Sequence, residues 1–170
     1  EVVLTADEEA GMSGIKAIDF SKITGRVIIN LDCSDQGIVV GCAGSAVIRL
    51  ELPVEREAVP GNWECGELQI RGLKGGHSGL DITKERGNAN VLLARILSSL
   101  AETCRVRMGG FHGGLQTNAI CREAEAKIAF PAERRGEVET CLEEWERILK
   151  KEFKISDPDV RVVLAEPAEG

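Results

Sequence analysis

No stretch of the 170-residue sequence approaches the roughly 18 consecutive apolar residues of a membrane-spanning helix, and no secretory hydrophobic segment precedes the first acidic cluster. These absences leave no membrane partner to expect and read as a soluble, cytoplasmic chain. The six cysteines are Cys33, Cys42, Cys65, Cys104, Cys121 and Cys141, and they include no Cys-x-x-Cys pair. A zinc ribbon or redox centre is thereby excluded, and reduced, mostly buried thiols are expected. Basic residues are in deficit: 21 Lys and Arg against 28 Asp and Glu give a net charge of −7 and a pI near 5.0, which argues against nucleic acid or an anionic membrane surface as partner. The chain has no internal repeat, no low-complexity tract and no Gly-x-Gly-x-x-Gly fingerprint, and no glycine loop in it ends in the Gly-Lys-Ser/Thr of a P-loop. An initiator Met is missing too, and the sequence opens directly on the apolar run Val2-Val3-Leu4, as a segment of a longer protein would.

What is present suffices for a core, since 43% of the residues are hydrophobic. The first segment reads as a βαβ unit: a strand over 2–5, a short helix over 12–20 and a continuous apolar strand over 26–31, with a further strand possible in principle over 38–42. The pattern changes near Ala43-Gly44-Ser45, which sets a boundary between residues 1–45 and 46–170. From Ala46 to Leu52 apolar and polar residues alternate as in a half-buried strand, and Pro60-Gly61-Asn62 marks a turn before a strand at 67–71. A helix of about 15 residues follows, with Val91, Leu93, Ile96, Leu97 and Leu100 near helical spacing. Strands over 105–108 and 123–130 flank a glycine-rich turn at 109–114. A second amphipathic helix runs from about 133 to 153, and a last strand covers 160–164. Without the segment near Ala46, the fold class is α+β: a βαββαβ, ferredoxin-like domain with an antiparallel sheet and both helices on one face, preceded by the βαβ strip of an α/β domain.

Histidine is scarce, and one of the two present stands in Gly72-Leu73-Lys74-Gly75-Gly76-His77-Ser78-Gly79. Glycines let a backbone take positive φ and approach a ligand closely, so the loop either presents an imidazole to a substrate or is a plain turn with a surface histidine. Asp7-Glu8-Glu9 follows the first expected strand and Asp32 the second. In a βαβ unit both would leave the sheet at one edge, where carboxylates can share metal ions and one of them can act as a base; the alternative is that they are solvated or favour a helix dipole. Asn118 stands at a strand entry, as a substrate contact or as turn chemistry, and Arg122 is either an anion contact or a surface residue. His112, in the second glycine stretch, reads as surface.

Five motifs occur in an order that resembles the cytosolic aminoacyl-histidine dipeptidases, the Xaa-His dipeptidases or peptidase D group of the two-metal peptidases that include carnosinases and carboxypeptidase G. They are Thr5-Ala6-Asp7-Glu8-Glu9-Ala10-Gly11-Met12, Ile29-Asn30-Leu31-Asp32, Gly41-Cys42-Ala43-Gly44, the His77 loop with Arg86-Gly87-Asn88-Ala89-Asn90, and Asn118-Ala119-Ile120-Cys121-Arg122-Glu123-Ala124. The similarity covers residues 1 to about 130. It implies Glu8 as the general base, Glu9 and Asp32 as metal ligands, His77 as the lid residue that reaches the substrate oxyanion, and Asn118 as a substrate contact. It further implies two divalent metal ions, expected to be zinc, a dipeptide substrate, and a second copy of the chain as a candidate partner.

Departures from the pattern are informative as well. The group's His-x-Asp motif and bridging Asp would fall before residue 1, and its last histidine ligand after residue 170. Cys121 replaces a usual Pro, Cys33 and Asp35 alter the acidic stretch after Asp32, and Gln116-Thr117 stands where an Arg often precedes the Asn. The expectation is therefore a fragment, residues 1–45 from a catalytic domain and 46–170 from a lid, inactive alone for want of metal ligands. The competing expectation is a non-catalytic ligand-binding or dimerisation module of the same fold.

Overall fold

Alternating burial along the strands and a three-to-four-residue apolar repeat along two helices organise most of what the computed structural model describes, namely residues 1–9, 11–31, 37, 38, 40, 41, 44, 46 and 48–166. The chain divides into two units, Glu1–Glu51 and Leu52–Gly170.

In the first unit, helix α1 (Ser13–Lys16) is a single turn, followed by a 3-10 turn at Phe20–Lys22. It lies inside the helix expected over 12–20 but is much shorter. The expected strands over 2–5 and 26–31 are not formed: their described residues carry no ladder, and Leu4, Ile28 and Leu31 are 90%, 90% and 88% exposed. A continuous apolar run becomes a parallel strand only when neighbours pair with its backbone and cover both faces, and no described residue does either. The described residues of the strand expected over 46–52 carry no ladder either, with Ile48, Leu50 and Leu52 exposed. Val39 and Cys42, within the further strand considered over 38–42, lie outside the described residues.

The second unit is a two-layer domain. Strand β1 (Trp63–Arg71) is followed by the two-residue strand β2 (Gly76–His77), helix α2 (Ala89–Cys104), strand β3 (Arg107–Gly113), the two-residue β4 (Ala119–Ile120), strand β5 (Ala124–Pro131), helix α3 (Arg135–Glu152) and strand β6 (Arg161–Ala165). The four long strands form one antiparallel sheet in the order β3-β5-β1-β6, while β2 and β4 pair separately as a small ribbon. Removing the ribbon leaves βαββαβ, the arrangement expected from sequence.

Register follows from burial. Leu68 and Ile70 of β1 face Ala126 and Ala124 of β5 on one side and Leu164 and Val162 of β6 on the other. Glu67, Gln69, Glu125 and Lys127 alternate with them on the opposite face. Leu92, Leu93, Ile96 and Leu100 of α2 and Val138, Leu142 and Leu149 of α3 close the core over the inward face. Each fully buried Leu or Ile contributes about 2 kcal/mol of hydrophobic free energy. Helix α2 starts where the Asn88 side chain accepts the Asn90 N–H at 3.1 Å, and it stops at Arg105, whose left-handed φ of 56° turns its N–H back to the Leu100 carbonyl.

The glycine-rich stretch 109–114 is not mainly a turn. Gly109 to Gly113 continue β3 along β5, with a register irregularity between Met108 and Gly110, and the reversal comes after Gly113. Pairing with a central strand overrides the poor strand propensity of glycine.

Candidate active site

The backbone N–H and the Nδ1 of His77 both find their partners within its own loop. The loop leaves β1 at Gly72, whose φ of 82° and proximity to the Asp159 carbonyl leave no room for a Cβ. The His77 N–H donates to Asp81 Oδ2 at 2.8 Å. Its Nδ1 accepts the backbone N–H groups of Gly79 and Leu80, each at 3.1 Å. A ring nitrogen that accepts two N–H groups carries no proton, so in the neutral ring the proton sits on Nε2. The exposed imidazole is thus held as an Nε2–H donor by backbone geometry alone.

Asp81 is the hub of the loop. Its carboxylate pairs with Lys84 at 2.5 Å and with Arg86 at 3.5 Å, and Arg86 in turn donates to the Gly75 carbonyl. Lys84 first, and then the His77 N–H, hold the Asp81 carboxyl below the ordinary carboxylate range. Gly76, at a φ of 143°, packs against Asp81 Oδ2 and Arg86 Nη1 so closely that any Cβ would collide with both.

Asn118 comes to the same place. In the ribbon, Gly76 pairs with Ile120 and His77 with Ala119, and the Asn118 carbonyl accepts the Ser78 N–H at 2.8 Å. The structure therefore brings together His77 and Asn118, which are 41 positions apart in the sequence numbering (118 − 77). Beside the ribbon lies a cavity of about 450 Å³ lined in part by Lys74, Gly75, Ile120, Cys121 and Arg122, with the Arg122 side chain lying over Gly75.

Glu8 and Glu9 belong to the first unit and are exposed. They sit on a loop closed by Met12 N–H to the Asp7 carbonyl at 2.7 Å, Gly14 N–H to the Ala6 carbonyl at 3.2 Å and Ser13 Oγ to Asp7 Oδ2 at 2.5 Å. Asp32 lies outside the described residues, so its expected place beside Glu8 and Glu9 is not described. Among the described residues, no three His, Cys, Asp or Glu side chains gather as metal ligands. Two adjacent carboxylates without a third donor do not make a zinc site, so the described residues alone do not fit a pair of divalent ions.

A protein-family model for the peptidase dimerisation domain matches residues 68–157, a little over half of the chain. The chain belongs to this M20 peptidase dimerisation family. The dimerisation domain is accompanied by similarity along nearly all of the chain to longer proteins: 39% identity to the cytosol non-specific dipeptidase of Escherichia coli, covering 96% of this chain and 34% of that protein. Identity is 26% to the uncharacterized protein YqjE of Bacillus subtilis, covering 99% of this chain and 47% of that one. The crystal structure of the aminoacylhistidine dipeptidase from Vibrio alginolyticus superposes with a TM-score of 0.71 at 31% identity, over 98% of this chain and 34% of that chain. The chain thus spans about a third of the length of these two dipeptidases, and the resemblance read from its motifs is borne out.

One residue of the dimerisation domain escaped the sequence reading. Asp157 is fully buried, and its carboxylate accepts the N–H of Lys74 and of Gly87, both at 2.8 Å. Ser156-Asp157-Pro158-Asp159 has the composition of a solvated turn, and no local signal marks one of its acids as internal.

Proposed function

We propose that this chain is part of a cytoplasmic, metal-dependent dipeptidase that hydrolyses the peptide bond of Xaa-His or similar dipeptides, with residues 1–45 contributing to the catalytic domain and 46–170 forming the lid. The observation that carries the reading is the fixed tautomer of His77, whose Nδ1 is occupied by two backbone N–H groups. An Nε2–H held without reorganisation is what a developing oxyanion requires of a donor. Asn118, immediately before the ribbon's second strand, contacts the substrate. Glu8 takes the proton of the attacking water, and its exposure leaves it accessible to do so. Glu9 and Asp32 are the carboxylates that this chain offers to divalent ions, zinc in this reading, and the remaining donors come from outside the described residues. When bound, such ions supply Lewis acidity.

The experiment is His77→Ala in the whole enzyme. Turnover of a dipeptide should fall by roughly 10² to 10³, about 3 to 4 kcal/mol, with the loss in kcat more than in KM because the charge exists only in the transition state. Metal content and Tm should hardly move. Activity retained within about threefold, less than 1 kcal/mol, would make His77 a surface residue of a plain turn.

A second reading has its own support. Strand β3 stands at the edge of the sheet, with one side paired to β5, and the matching family is described as a dimerisation domain. Pairing with a second copy of the chain is accordingly proposed as well, whether or not the chain takes part in chemistry. Light scattering that returns a monomer mass for the whole enzyme at micromolar concentration would remove it.

A further inference from the structure

We infer that Asp157 is the positioning residue for His77: a buried carboxylate that pins both ends of the segment 74–87 and so sets where the imidazole stands. The inference rests on the reading of His77 as the oxyanion donor and goes beyond it, since it assigns a residue far along the chain to that task.

Asp157 is the one charged residue fully buried among the described residues. A carboxylate withdrawn from water needs donors for its lone pairs, and here they are two backbone N–H groups from opposite ends of one segment. Oδ1 accepts from Lys74, three residues before His77, and Oδ2 accepts from Gly87, two residues before α2. The carboxylate is itself anchored, because the Asp157 N–H donates to the Phe153 carbonyl at 2.8 Å and the Asp157 carbonyl accepts from Val160 at 3.2 Å. It therefore ties the loop to the end of α3 and the start of α2, both core elements. Between the two pinned ends, the regular structure is limited to the two-residue β2 and a 3-10 turn at Ile82–Lys84. The Asp81 and Arg86 contacts fix the loop to itself and the β2–β4 ribbon pairs His77 with Ala119, whereas Asp157 holds the two ends of the loop to the core elements. An asparagine at 157 keeps the shape but turns an NH2 group toward one of the two N–H donors, so one tether is lost.

A double-mutant cycle in the whole enzyme tests this. Asp157→Asn should lower kcat by about 10- to 100-fold, the cost of a small misplacement of a catalytic group, with KM within about threefold and metal content unchanged. In a His77→Ala background the same substitution should change kcat by less than about twofold, because nothing remains for it to position. Equal losses in the two backgrounds, or no loss in the parent, would overturn the inference. If His77→Ala alone is without effect, the functional reading fails by itself, and the tether is then judged by amide exchange. Lys74 and Gly87 should be as protected as α2 core amides, and exchange as fast as an open loop's overturns it. The same exchange measurement, together with the cycle repeated with Asp157→Glu, decides the matter if Asp157→Asn does not fold.

Discussion

Hydrophobic residues are plentiful in both units, yet among the described residues only the second has a core. Val27, Ile28 and Ile29 are 85%, 90% and 81% exposed in the first, whereas Ile70, Leu93 and Ile96 are completely buried in the second. The difference lies in what the chain brings back to each run. In the second unit β1 is paired on both sides by later strands, and two amphipathic helices cover its inward face, so one stretch of sequence supplies both backbone partners and cover. In the first unit the described residues supply neither. The lesson is that an apolar run states a demand for burial and does not meet it. The candidate chemistry is split along the same line: Glu8 and Glu9 stand on a loop whose described surroundings hold no core, and His77 and Asn118 stand in and beside a ribbon attached to one.

The largest expected effect concerns the coreless side. Glu8→Gln in the whole enzyme should reduce turnover by roughly 10² to 10⁴, because an amide of the same shape cannot accept the proton of the attacking water. Stability and metal content should be untouched. Loss of metal together with activity would reassign Glu8 as a ligand and leave the base unidentified.

Stability should show the opposite asymmetry. In the 170-residue chain, Leu93→Ala removes a fully buried side chain of α2 and should cost about 3 kcal/mol in urea unfolding. Ile28→Ala in the same chain should change stability by less than about 0.5 kcal/mol. The comparison sharpens if the measurement is repeated on the whole enzyme. There, residues 1–45 are proposed to join a catalytic domain, and Ile28→Ala should become as costly as a core truncation, about 2 kcal/mol or more. An equally neutral Ile28→Ala in both proteins would remove the proposed domain assignment.

Much of the second unit is legible in sequence because its signals are local and redundant. The spacing of Leu93, Ile96, Leu97 and Leu100, or of Val138, Cys141, Leu142, Trp145 and Leu149, needs no partner to be read as helix. What escapes depends on distant pairing. The four residues Trp63 to Gly66 are strand because β5 lies beside them, and Gly109 to Gly113 are strand because β5 has a second edge to offer. The ribbon of β2 and β4 is only two residues long on each side, too short for any periodicity, though it is what brings Asn118 to His77. Within the candidate site, the motifs named His77 and Asn118 while Asp157 stayed hidden, since its two donors are 83 and 70 positions away.

A smaller effect tests how firmly the two helices are joined over the core. Arg95 of α2 reaches Glu152 of α3 through two hydrogen bonds, at 3.0 and 2.9 Å, and its guanidinium lies 5.3 Å from the centre of the Trp145 ring. The residues are partly exposed, so solvent screens the pair. Arg95→Ala should lower stability by about 1 kcal/mol, of which 0.5 M salt should abolish only part, because the ring contact and the packing of the aliphatic stem are less sensitive to salt than the ion pair. A change below about 0.3 kcal/mol would mean that apolar packing alone holds α2 to α3.

The smallest expected effect is confined to the His77 loop and is read by pH. Lys84, foremost, and the His77 N–H favour the ionised form of Asp81 and lower its carboxyl below the ordinary value. A carboxyl lowered by folding gives the loop its full support above the ordinary aspartate range and loses that support as pH falls through the lowered value. The loop should therefore be intact at neutral pH and loosen only in acid, with a midpoint below that of an ordinary aspartate. The amide resonance of His77, whose N–H points at the titrating oxygen, is the natural reporter. It should shift with that acidic midpoint in the parent chain, remain constant between pH 5 and 8 as far as Asp81 is concerned, and lose the acidic step in Asp81→Asn. Global unfolding should hardly register the substitution, since none of the Asp81 contacts reaches the core. An acidic step that survives Asp81→Asn would show that another group holds the His77 N–H, and the closed circuit of Gly75, Arg86, Asp81 and His77 would no longer account for the internal order of the loop between its two ends.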